Sequence, residues 1–399
     1  MKREKGFSLV EVLVATTIML LVITATLGTL NTALSATQAV TLLADTQENL
    51  RAAMNYMVRD LLQAGEGVPQ GGVTIPNTAG VSALNRPGPG TPTVSFGTFN
   101  PAWTALPAIT SGYQMGPITT TSGVATDMIT VMYADTTLQD VSGHWLNEFP
   151  IYLANTGTPG CAAANSTPEP QGSITTAGTT TTVTFDPSCI VINNGNTGIN
   201  AGDLILLQNN NTIGDGDGSV TGSNADISDS SGHMALLCVS NVNPAANSIT
   251  FSAGDPFNLN ASGATTGTIT QIQQPPPPPG VYPTTTATRF WMITYFIDNT
   301  NPQRPLLMRQ VNLNPPQAVG EVIENLQVYY DILNVGSSPV TVTTEQENPA
   351  TAQLPDIRDA YIILYARSET KFGQSNQYFR NNLETAVSIR GLDFYNEFQ

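Results

Sequence analysis

The pattern of apolar and polar positions changes character once along the chain, near residue 65. From Phe7 to Leu30 the sequence FSLVEVLVATTIMLLVITATLGTL is apolar or weakly polar throughout, with Glu11 its one charge. As a helix rising 1.5 Å per residue this stretch spans about 36 Å, enough to cross a hydrocarbon core of about 30 Å with some tilt. Beyond it Leu34, Leu43, Leu50, Met54, Met57 and Leu61 recur mostly three, four or seven residues apart, the spacing of one helix face. Asp45, Glu48, Arg51, Arg59 and Asp60 fall largely off that stripe, with Glu48, Arg51 and Asn55 adjacent on another face. No proline interrupts residues 7–68, and Gly65-Glu66-Gly67-Val68-Pro69 is a stop, glycine first and proline soon after. The pattern predicts one helix from about Phe7 to Ala64, roughly 87 Å long.

After residue 69 the period shortens. Apolar or alternating runs occur at Met128–Tyr133, Thr182–Phe185, Asp203–Leu207, Ala235–Val239, Arg289–Ile297, Pro305–Val311, Leu326–Leu333, Asp359–Ala366 and Glu384–Ile389, separated by clusters of Gly, Asn, Pro and Ser. Asp298-Asn299-Thr300-Asn301 between two runs predicts a hairpin from near Phe290 to near Val311. Ala318–Asn325 reads as a short helical turn, and the Thr/Gly-rich stretch 173–182 as an exposed loop. No period of 20–50 residues recurs, which disfavours a solenoid or propeller. The fold class is α+β: a long N-terminal helix packed on a β-rich head with large insertions. The expected division is 7–30 membrane helix, 31–64 its amphipathic continuation, 65–285 head with loop insertions, and 286–399 C-terminal sheet. The run Gln274–Gly280, with five prolines, would be a stiff polyproline spacer between the last two, or a ligand for a proline-reading partner.

Composition adds a surface and a compartment. Gly and Pro make 62 of 399 residues, about 16 %, below the roughly 25–30 % of low-complexity chains, so a core can form. Charged residues are only 11 %, against about 25 % in average domains, and Thr, Ser, Asn and Gln take their place, as suits an exported β-rich protein. The formal charge of -16, with Lys371 the only lysine after Lys5, argues against nucleic acid as a partner.

Lys2, Arg3 and Lys5 precede the apolar segment, which would leave that end in the cytoplasm and export the rest. A secretory signal cut near Ala33-Leu34-Ser35 is the competing reading. The apolar run exceeds the roughly 7–15 residues of such a signal, and it carries an acid whose burial costs several kcal/mol. An acid retained at that cost points to a partner.

The stretch Gly6-Phe7-Ser8-Leu9-Val10-Glu11-Val12-Leu13-Val14-Ala15 closely resembles the class III leader and N-terminal segment of type IV pilins and type II secretion pseudopilins. The resemblance implies that residues 1–6 are a leader, that a prepilin peptidase cuts between Gly6 and Phe7, and that Phe7 becomes the N-methylated terminus. It also implies that Glu11 pairs with the terminal amine of a neighbouring subunit. That pairing is chemically coherent, since an ammonium and a carboxylate inside a helical bundle neutralise each other and offset part of the desolvation of both. Glycine before the scissile bond lets the backbone enter a tight active site. Many major pilins have a helix-breaking proline near the position Gly28 holds here, and glycine is a milder weak point.

Within that superfamily Met57–Gly65, Val322–Tyr330, Ala360–Arg367 and the closing Leu383–Arg390 resemble the PilW group of minor pilins. Residues 70–285 resemble nothing beyond a strand, Gly-Asp, strand pattern at Gly202-Asp203. The resemblance implies a structural protein stored in the inner membrane with a periplasmic head. Its partners would be the prepilin peptidase, other minor pilins and the major pilin, and it would help initiate the pilus near its tip. A J-like minor pseudopilin of type II secretion is the second reading. A membrane-anchored adhesin using the middle insertion is the third. Some tip pseudopilins of the family lack the glutamate, so Glu11 argues against the single topmost place.

Other features carry less. Asp215-Gly216-Asp217-Gly218-Ser219 with Asp226 resembles a calcium loop, but Val220 stands where the loop needs glycine and Asp226 where a bidentate glutamate is usual, which favours a solvated acidic turn. Cys161 and Cys189 lie in loop-like contexts and are expected to pair in an oxidising compartment, leaving Cys238 buried and free in an apolar strand. No Cys-x-x-Cys, Gly-x-Ser-x-Gly, phosphate-binding loop or His-Glu-x-x-His occurs, and His144 beside Trp145 reads as a packed or surface residue. The sequence therefore gives no enzyme, no cofactor, no metal and no small-molecule substrate.

Overall fold

The computed structural model describes residues 8–69, 71–76, 84–90, 93–96, 105–119, 123–139, 149–153, 172–187, 190, 192, 198–209, 234–261, 267–272, 285–334, 337, 339–372 and 376–389. One α-helix runs unbroken through Leu9–Gln63, matching the periodic stretch, and Gly28 lies within it. It is 55 residues and about 82 Å long. Its stop works as the glycines suggest: Gly65 and Gly67 take φ of 87° and 69°, a backbone region that costs glycine little. The turned chain is stitched to the strand Met128–Ala134, with Gly65 N–H donating to the Met132 carbonyl and Ala134 N–H to the Glu66 carbonyl.

The head is built of β-strands, as the alternating runs require. A four-stranded antiparallel sheet takes the order Thr341–Gln346, Ile323–Asn334, Ile357–Phe372, Gln377–Ser388. Its inner face carries Leu326, Val328, Ile362 and Leu364, all buried with helix residues Leu50, Ala53, Met54, Met57 and Leu61 in one core. A twelve-stranded sheet is organised on the 14-residue strand Thr285–Asp298. One edge of that strand pairs first with Leu204–Asn209 and then with Leu306–Val311; the other pairs with Phe149–Leu153 and then Met128–Ala134. Sequence on both sides of residue 285 thus shares one sheet. The 290–311 hairpin forms as expected, with Asp298 opposite Leu306 and Asp298 Oδ1 accepting from Thr300 N–H at 2.9 Å inside the turn.

Two expectations are corrected. Ala318–Asn325 is not helical: Gln317–Glu321 is a strand paired with Leu306–Val311, and Val322, at φ 55°, turns the chain into Ile323–Asn334. The 173–182 stretch is no loop but a hairpin, Gly172–Ala177 against Thr180–Phe185, in which the facing threonines Thr176 and Thr181 bond each other at 3.1 Å. Asp60, off the apolar stripe in sequence, is fully buried. Cys238 is buried and unbridged. Gly6, Phe7, Cys161, Cys189, His144, the Asp215–Asp226 loop and the proline run all lie outside the described residues.

Candidate assembly site: the bare helix and its seat on the head

Among the described residues, the N-terminal half of the helix packs against no other element. Its most apolar 18-residue window is wholly exposed, with Leu9, Leu13, Ile18, Leu20 and Leu21 at 56–80 %. Its hydroxyl groups are already satisfied along the helix: Thr24 donates to the Leu20 carbonyl at 2.7 Å, Thr32 to Gly28 at 3.0 Å and Thr37 to Ala33 at 2.9 Å. A threonine bonded back one turn carries no unmade hydrogen bond into hydrocarbon, so the polar letters in this segment do not oppose insertion. One side is smooth. Ala25, Gly28, Thr29, Thr32, Ala33 and Ala36 line a shallow groove, in which residues four apart are all small. Such a face lets a second helix approach closely.

Glu11 stands at the N-terminal end, exposed, and has a local role that the sequence reading did not find. Ser8 is the N-cap: its Oγ accepts from Val10 N–H at 3.3 Å, and Glu11 Oε2 accepts from Ser8 N–H at 3.0 Å, which completes a capping box. The Ser-x-x-Glu spacing ahead of an apolar run carries that signal. The box uses one carboxylate oxygen, and a carboxylate accepts at both.

The far end of the helix is locked to the head by a buried polar cluster. Asp60 Oδ2 accepts from Tyr295 Oη and from Arg309 Nε, each at 2.6 Å, while Arg59 Nε lies 3.4 Å from Oδ1. Burial alone pushes the Arg309 guanidinium down, but the Asp60 hydrogen bond and charge outweigh it and hold it above its ordinary value. Burial, then the Asp60 charge, push the phenols of Tyr295 and Tyr133 well up, so both stay neutral, Tyr295 as the donor to Asp60. No one-letter pattern marks Asp60; its partners lie 235 and 249 residues away.

A second buried knot ties the centre of the large sheet. Arg289, 1 % exposed, donates from Nε to Asp135 Oδ2 at 2.6 Å and to the Gly198 carbonyl, lies 3.6 Å from Asp203, and stacks 4.8 Å from the Trp291 ring. The Gly-Asp pattern noted at Gly202-Asp203 is thus a structural turn: Gly202 takes φ 91°, and Asp203 Oδ2 accepts from Asn200 N–H at 2.9 Å. Burial raises the Asp203 carboxyl to about 6. Arg86, also fully buried, donates to the Ser111 carbonyl at 3.2 Å, and burial lowers its guanidinium to about 10. No group of three or more His, Cys, Asp or Glu fit to hold a metal occurs among the described residues.

No curated protein and no solved structure matches the chain. Residues 1–27 do match one family model, described as the prokaryotic N-terminal methylation motif. Together with the bare apolar helix, that match supports a type IV pilin-like protein, anchored in a membrane by its N-terminal segment and processed by a prepilin peptidase.

Proposed function

We propose that this chain is a minor type IV pilin of the PilW kind, a structural subunit that helps start the pilus and joins it near the tip. The observation that carries the reading is the methylation motif at residues 1–27 running into a helix whose apolar half has no partner among the described residues. Small residues along Ala25–Ala36 supply a face for neighbouring helices, and the large sheet-built head suits a place where the shaft lattice does not crowd it. Processing between Gly6 and Phe7 would create an ammonium one residue ahead of Ser8. Glu11 could then accept from a neighbour's amine while its Oε2 keeps the cap. The head lies in the periplasm before assembly and at the cell surface after it. The subunit acts by packing and charge pairing, not by catalysis.

Two experiments test this. Gly6→Leu blocks cleavage, so the protein keeps a longer, unmethylated terminus by mass spectrometry; an unchanged mature mass would refute the site. Glu11→Gln leaves insertion intact, because it removes a charge from hydrocarbon, but lowers recovery of other minor pilins after detergent extraction. Equal recovery would end the pairing role. Deleting the gene separates the systems: loss of surface pili and twitching supports a pilus subunit, whereas trapped exoproteins would assign it to type II secretion.

A further inference from the structure

Arg289 and Arg309 each meet a carboxylate inside the head. Arg86 does not. It is fully buried on the strand Asn85–Pro87, and no Asp or Glu pairs with it among the described residues. Its Nη1 donates to the Ser111 carbonyl at 3.2 Å and to Thr130 Oγ1 at 3.3 Å, and the guanidinium stands 5.2 Å from the Phe96 ring. Nε has no partner among the described residues, and the partner of Nη2 is Met115 Sδ, 2.6 Å away. A thioether is a weak acceptor. A buried charge whose donors meet weak acceptors is costly, so this position favours a stronger acceptor at the sulfur.

Methionine gains such an acceptor by oxidation, and Met115 is placed to undergo it. Met54, Met57, Met128, Met132, Met234 and Met292 are buried, whereas Met115 and Met308 are half-buried and reach solvent. A sulfoxide usually disrupts packing, because it brings a polar oxygen to an apolar place. At Met115 a charged donor already points at the sulfur. Met308, on the strand Leu306–Val311, has no hydrogen bond to its sulfur among the described residues and serves as the contrast.

We infer that Met115 is a site of oxidation by peroxides, whose sulfoxide oxygen is received by the Arg86 guanidinium. The sulfur lone pair attacks the terminal oxygen of the peroxide, and an S–O bond forms as the O–O bond breaks. The leaving oxygen takes the electron pair and the proton, departing as water or an alcohol; the sulfur is oxidised by two electrons and the peroxide reduced by two. The guanidinium does not drive that transfer. It holds the product, because the sulfoxide oxygen carries partial negative charge and accepts strongly from a cation. The unbranched, flexible methionine side chain can shift to make room for the oxygen. Thr130 Oγ1 also lies 2.8 Å from Thr294 Oγ1 on the central strand, so the modification fastens the hairpin of Asn85–Pro87 and Thr93–Ser95 more firmly to the large sheet. The site belongs to the head and does not depend on the assembly reading.

The test uses the full chain in detergent micelles carrying Met19→Leu and Met308→Leu, which leaves Met115 as the methionine that solvent reaches among the described residues. After brief treatment with hydrogen peroxide, peptide mass spectrometry is expected to find one added oxygen on Met115 ahead of the buried methionines. The melting midpoint is expected to rise by about 2–4 °C, the size of one charge-assisted hydrogen bond gained. With Met19→Leu and Met115→Leu instead, oxidation of Met308 is expected to bring no rise. Met115→Gln supplies an amide oxygen without any oxidant and should melt above Met115→Leu. Oxygen found on the buried methionines before Met115, a midpoint that does not rise as Met115 is oxidised, an equal rise from Met308, or a glutamine variant no more stable than the leucine one would overturn the inference.

Discussion

A single carboxylate decides how the helix sits on the head. Asp60 is fully buried between Met57 and Leu61 on the core face, and it is tolerable there because Arg309 and Tyr295 satisfy it. Removing one member of a buried pair leaves the other uncompensated, which typically costs about 3–5 kcal/mol. Asp60→Asn should therefore destabilise the head by about 3 kcal/mol in denaturant unfolding, and Asp60→Asn with Arg309→Met should recover part of that loss. Additive losses would show the pair to be uncoupled. Asp203 acts with the opposite sign to a paired acid. Its folded pKa, about 6, lies above the ordinary carboxylate value of 3.8, so the folded state binds more protons between those values. Its contribution to stability therefore falls as pH rises from about 4 to about 6 and is flat above. Asp203→Asn, which keeps an acceptor for Asn200, should gain melting temperature relative to wild type at pH 7 compared with pH 4.5. A difference that does not vary with pH would refute the assignment. Glu11 was legible from its apolar surroundings and Asp60 was not. An acid in a hydrophobic run stands out locally, whereas the partners that bury Asp60 come from strands far along the chain.

Elements were legible where their periodicity is local. The helix shows its period, lacks proline and ends on glycine, and the chain forms it within a few residues of the expected limits. Strands Thr285–Asp298 and Ile357–Phe372 extend past their apolar cores, because paired backbone continues where side chains become polar. Gln317–Glu321 and the threonine hairpin were misread for the same reason: cross-strand pairing, not hydrophobic alternation, makes them strands. The strand Gln317–Glu321 also sets how close the helix can come. A Cβ at Gly320 would lie 2.8 Å from Ala53 Cβ and 3.0 Å from Ile323 Cγ1. Gly320→Ala should lower stability by about 1–3 kcal/mol through overpacking. Ala53→Gly in the same chain should recover much of it despite its helix-propensity cost of about 1 kcal/mol. Failure of the second substitution to help would place the contact elsewhere.

At the scale of the molecule the chain divides by what it buries rather than by sequence length. The α+β plan was readable because a 24-residue apolar run and a β-rich remainder leave few alternatives. The joining of residues before and after 285 into one sheet was not, since strand order depends on contacts that no local pattern encodes. The helix itself divides in the same way. Thr46 is its first buried residue, and Leu50, Ala53, Met54, Met57 and Leu61 carry its contact with the core, whereas Leu9 to Leu34 expose their apolar side chains. Stability of the head should then reside entirely in the C-terminal part of the helix and the sheets it covers. Deleting residues 1–35 removes the exposed apolar surface that would drive association in water, and among the described residues it removes no buried side chain. The shortened chain is expected to be monomeric without detergent and to unfold at the same midpoint as the full chain in micelles, by circular dichroism and light scattering. It should also fail to recover partner subunits from detergent extracts, because both the small-residue groove and Glu11 are gone. A lowered midpoint would mean that the bare half of the helix supports the head, and undiminished recovery of partners would move the assembly surface onto the head itself.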